Sequence, residues 1–138
     1  VDETFVLHEK LDADTMLVAD WPVARVLLMN DANYPWLILV PRRAGLRDYH
    51  DVASEDEVAL LGEVNKASRI LKKITGAGKM NIGALGNMVP QLHIHVIARF
   101  ETDAAWPDPV WGKHAAVAYE AGAGEVLIEK FNTAAKEF

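Results

Sequence analysis

The sequence predicts an α+β domain, a five-stranded and mostly antiparallel sheet with helices packed on it. Three observations lead there. Short runs rich in Val, Leu and Ile open the chain, as strands do. The apolar period then lengthens to that of a helix, and two more short runs follow before a second amphipathic stretch closes the chain. The order β-β-β-α-β-β-α, without internal repeat or linker, suits a single domain over residues 1–138.

The first three strands are "TMLVADW" (15–21), "VARVLLMN" (23–30) and "WLILVPR" (36–42), punctuated by Pro22 and by "DANYP". Pro35 fixes its own backbone angle and disfavours helix before it. A helix is predicted over "SEDEVALLGEVNKASRILKKITGAG", with Val58, Leu61, Val64, Ile70, Leu71 and Ile74 forming its stripe. Ser54 and Glu57 have capping-box spacing, Lys72 and Lys73 complement the dipole at the far end, and Gly76 or Gly78 supplies the stop. "KMNIGALGN" (79–87) and "QLHIHVIARF" (91–100) read as two further strands with a turn near Met88–Pro90. "AWPDPVWGKH" reads as an ordered loop, and "EVLIEKFNTAAKEF" as the closing helix.

Composition narrows the function. Half of the residues are apolar and a quarter charged, and no apolar run approaches the roughly 20 residues that cross a bilayer. The acidic start "VDETFVLHEKLDAD" is unlike a targeting segment. The absence of cysteine excludes disulfides, thiolate nucleophiles and Cys-based metal sites, and suits a reducing cytoplasm. A net charge of −6 disfavours a sequence-blind grip on nucleic acid. It leaves room for a small phosphate-bearing ligand held by a few local donors.

The last strand carries the chemistry. Side chains two apart share a face, so Leu92, Ile94 and Val96 point into a core while Gln91, His93 and His95 form a polar row. Three readings are open. The row faces water; or the two histidines hold a metal, with His50, His114, Glu101 or Asp103 completing it; or a neutral imidazole acts as a nucleophile beside a hydrogen-bond donor. A phosphorus centre suits the third, because the phosphoramidate formed is labile to water. Arg99 lies on the same face by alternation and is the best placed of the arginines for a distal phosphate. Arg42, Arg43, Arg47, His8, His50 and His114 default to surface.

"QLHIHVIARF" resembles the signature of the histidine triad (HIT) superfamily, His-φ-His-φ-His-φ-φ with φ apolar, apart from its first residue. The resemblance extends through "LLMNDANYPWLILVPRR", the helix and "NIGALGNMVP". It implies a HIT-like fold and a nucleotide hydrolase or nucleotidyl transferase acting at an α-phosphate. The substrate would be a dinucleoside polyphosphate such as diadenosine tetraphosphate, or a nucleoside phosphoramidate. By that resemblance His93 is the nucleophile, His95 contacts the leaving oxygen, and Gln91 stands in the place of the first histidine. Asn30 and Asn81 match positions that hold ribose or phosphate, and Asn87, closing the Gly-containing stretch, joins them as substrate-binding. For both Asn30 and Asn81 turn chemistry is the competing role. Phe5 and Leu28 fit either a base sandwich or plain core.

Three residues depart from the family pattern. Gln91 cannot take up a proton, Trp36 replaces a histidine that many members carry, and Met88 stands where many place a Ser or Thr that donates a hydrogen bond to phosphate. A nucleotide-binding module with little catalysis is therefore one alternative, and a His-ligated metal site the other. The resemblance implies no cofactor or metal, and a homodimer as the assembly.

Overall fold

A computed structural model describes residues 4–138; the first three residues of the acidic start lie outside them. The chain first forms a short helix, α1 (Glu9–Asp14), which the apolar pattern does not predict because six residues are too few to show a period. The His8 ring caps it, with Nδ1 accepting the Lys10 N–H at 3.1 Å.

Strands β1 (Thr15–Asp20), β2 (Ala24–Met29) and β3 (Trp36–Pro41) follow as predicted, each shorter by a residue or two. Then come a 3₁₀ turn (Tyr49–Asp51), the long helix α2 (Ser54–Thr75), β4 (Lys79–Gly83), β5 (Ile94–Arg99) and α3 (Ala123–Ala135). The sheet order is β1-β2-β3-β5-β4, with every pairing antiparallel. The histidine strand is therefore interior, between β3 and β4.

Helix α2 corrects two details. Ala53 is its N-cap with no side-chain hydrogen bond, so the Ser54–Glu57 box does not form. Its buried face is Leu60, Val64, Ala67, Ile70 and Leu71, whereas Val58 and Leu61 are exposed. Apolar residues lie on both sides of the first two turns, and only packing chooses between them. The helix stops at Gly76, whose φ of 72° is left-handed and whose N–H donates to Lys72 O. The Glu63 carboxylate accepts the N–H groups of Val23 and Ala24 at 2.9 and 2.7 Å, tying α2 to the β1–β2 turn.

Alternation divides the sheet into two faces. On one, Val26, Leu28, Leu37, Leu39, Ile94, Val96 and Ala98 pack under α2 and α3 with Phe131. On the other, Leu27, Trp36, Ile38 and Ile97 pack with Leu11 of α1 and with Ala105 and Val110 of the long segment after β5. His95 sits on this second face, which has no long helix over it and so has room for a cavity. β4 ends at Gly83, and residues 84–93 are irregular, longer than the turn predicted.

Candidate active site

His93 precedes β5 rather than lying within it, yet its ring stays beside that of His95, with centroids 4.9 Å apart and edge to face. Both residues are buried, each 7% exposed. Their hydrogen bonds fix opposite tautomers. His93 Nδ1 lies 2.7 Å from the backbone carbonyl of Gln91, which can only accept, so Nδ1 carries the proton and Nε2 the lone pair. His95 Nδ1 lies 3.0 Å from Trp36 Nε1, an indole N–H that can only donate. His95 therefore carries its proton on Nε2. Burial first, and His93 second, push the His95 pKa down to about 4, so its ring is neutral at neutral pH.

Two cavities meet at His93. The larger, about 370 Å³, has Leu11, Met29, Trp36, Ile38 and Trp111 among its walls, with His93 and His95 at one side. Its apolar lining suits a flat organic ring. The smaller, about 250 Å³, has a mixed lining that includes Arg47, Asp48, Tyr49 and His50. A lone pair on one ring, where the two chambers meet, and an N–H on the next can attack an electrophile and support the group it loses.

A family model described as HIT domain matches residues 10–102. The chain belongs to the histidine triad (HIT) family. It is similar to the solved histidine triad protein of Bradyrhizobium japonicum, at 45% identity, covering 94% of this chain and 96% of that one with a TM-score of 0.91. A histidine triad protein of Marinobacter aquaeolei is 43% identical, with 96% and 97% covered and a TM-score of 0.92. The Plasmodium falciparum diadenosine triphosphate hydrolase shares the fold at 17% identity, with 96% and 81% covered and a TM-score of 0.60. No curated protein sequence matches.

Within this HIT fold the expected site residues separate into two groups. His93, His95 and Asn87 line the larger cavity. Gln91 contributes its carbonyl to His93, while its side chain clamps the N-terminal segment: Oε1 accepts the His8 N–H and Nε2 donates to Val6 O, both at 2.8 Å. Asn30 falls on the opposite face of β2 from Met29, which lines the cavity, and its Oδ1 accepts the Tyr119 N–H at 2.9 Å. Leu28 is likewise core under the helices rather than a wall for a base.

Arg99 and Asn81 form a second centre away from the histidines. Arg99 is 1% exposed, and its guanidinium donates to both Asp103 oxygens at 2.8 and 3.1 Å, to Asn81 Oδ1 at 2.8 Å and to Asp108 O at 2.8 Å. Four bonds and the flanking Tyr34 and Trp106 rings leave it holding the segment after β5, not free for a phosphate. Burial raises the Asp103 carboxyl, but Arg99 and the N–H groups of Phe100, Trp106 and Ala105 outweigh it and hold the group well below the usual carboxylate range.

Sequence reasoning did not find Met29, Trp111, Arg47 and His50 as walls. Trp111 stands edge-on to His95 at 5.4 Å, and a Cβ on Gly83 would come within 3.2 Å of its ring. The Gly83–Trp111 approach is the one signal that a glycine in a strand offers. Among the described residues, one cluster has metal-ligand spacing, the exposed Asp48, His50 and Asp51, and it includes neither His93 nor His95.

Proposed function

We propose that the chain is a nucleotide hydrolase or nucleotidyl transferase that works through a covalent nucleotidyl-histidine on His93. The observation that carries this reading is the pair of opposite tautomers at the wall of an apolar cavity. His93 Nε2 attacks the α-phosphorus, forming a P–N bond as the bond to the leaving oxygen breaks. The His95 Nε2–H donates to that oxygen. Water then attacks phosphorus, the P–N bond breaks, and a nucleoside monophosphate leaves with the proton released to solvent.

The base lies in the apolar cavity, with Asn87 contributing polar contact, and the leaving group extends toward the chamber holding Arg47 and His50. In this reading Gln91 stands where the first triad histidine would, and acts through its carbonyl on the His93 ring. That carbonyl gains importance as His93 becomes cationic in the intermediate. Asn30, Asn81 and Arg99 support the walls. The working unit is a homodimer of single-domain chains.

Release of AMP from diadenosine tetraphosphate tests the reading. His93→Ala lowers turnover by about a thousandfold or more if His93 is the nucleophile. Retained turnover in that variant counts against it.

A further inference from the structure

We propose that Trp36 is a positioning residue that locks His95 as its Nε2–H tautomer, so that His95 donates a hydrogen bond to a departing group but cannot hand it a proton. The indole N–H meets Nδ1 at 3.0 Å in a buried setting. A second proton on Nδ1 would place two donors face to face, so forming the imidazolium requires breaking this bond. The ring has little freedom to turn away. Trp36 lies tilted against it at 5.6 Å, Trp111 edge-on at 5.4 Å and His93 edge-on at 4.9 Å.

The one carboxylate among the residues lining the cavity, Asp14, is paired with Lys10. From β3 the ring meets Trp36 and its register partner Ile38, and from β4 its register partner is Gly83. The titratable groups sharing its cavity are His93, and Lys10 and Asp14 of α1, which are paired with each other at 2.9 Å. His93 repels a positive charge on His95, and the α1 pair cancels much of its own field.

The catalytic consequence rests on the proposed function. A neutral imidazole N–H is too weak an acid to give up its proton, so the leaving group must depart as a stable anion. Phosphoric or carboxylic anhydrides satisfy this unaided, whereas amine and alcohol leaving groups need a proton from water or another group.

The test reads the tautomer itself, without substrate, in the full chain with ¹⁵N-labelled histidine. Long-range ¹H–¹⁵N spectra are recorded from about pH 5 to about pH 8, the range in which an ordinary histidine titrates. The His95 signals are assigned by their loss in His95→Gln. The expected wild-type result is a single Nε2–H form throughout. An Nδ1–H form, or titration within that range, overturns the inference. Trp36→Phe keeps an aromatic ring and the burial but removes the donor, and is expected to mix the Nδ1–H and Nε2–H tautomers. A pure Nε2–H form in that variant also overturns it. A locked His95 in a protein with no turnover leaves this inference standing and removes the proposed function, so the two failures are distinguishable.

Discussion

Trp36 and His95 are joined across the β3–β5 pairing by a 3.0 Å bond from indole Nε1 to imidazole Nδ1. The bond belongs to the neutral ring, which burial first and His93 second favour, so stability should depend on pH. The folded pKa of about 4 lies below the ordinary value of 6.5, so above pH 6.5 both states are neutral and the contribution is complete. Between those values the unfolded chain takes up a proton that the folded chain refuses, and stability falls. Below about pH 4 the loss is complete, on the order of 3 kcal/mol. Urea unfolding of wild type and His95→Gln across this window is the check, and the expected result is a steeper acid loss in wild type.

The Arg99–Asp103 pair sits in the interior, with side chains 2% and 4% exposed. Removing one partner strands the other charge. Asp103→Ala should cost about 3–5 kcal/mol in urea unfolding. The paired change Arg99→Met with Asp103→Leu should cost less than Asp103→Ala alone, because no unpaired charge remains. A simple sum of two losses would contradict the structural role given to Arg99.

Glu63 gives a stability prediction remote from the cavity. Its carboxylate is the acceptor for two N–H groups in the β1–β2 turn. Glu63→Leu leaves both without that acceptor and should destabilise by about 3 kcal/mol. Denaturant midpoints read the change.

The side chain of Gln91 acts on the N-terminal segment rather than on the histidines. Gln91→Ala should lower stability by about 1 kcal/mol and speed proteolysis near Val6, while turnover falls far less than in His93→Ala. Equal losses of turnover in the two variants would show that the Gln91 side chain takes part in the chemistry.

How much of this was legible in the sequence follows from the range of each interaction. The five strands and two long helices rest on local apolar period, and all were found. The face shared by His93 and His95 followed from alternation alone. Asn30 came from the resemblance, and its bond to the Tyr119 N–H joins residues far apart in the chain that no local pattern connects. Arg99 was on the right face, but Asp103 and Asp108 reach it through the fold-back of the irregular segment after β5 and Asn81 from β4, which strand alternation does not show. Helix α1 is too short to show a period, and it brings Leu11 to the cavity. Trp36 was visible as a departure from the family pattern, and only the three-dimensional contact revealed what the indole does.

The central claim is that the His93 Nε2 lone pair attacks phosphorus, and intact-protein mass spectrometry tests it most directly. The protein is mixed briefly with diadenosine tetraphosphate and quenched in base, where a P–N bond survives. The account predicts a gain of one adenylyl group in wild type, mapped to His93 and absent in His93→Ala. Turnover without any adduct, or an adduct that persists in His93→Ala, would contradict it.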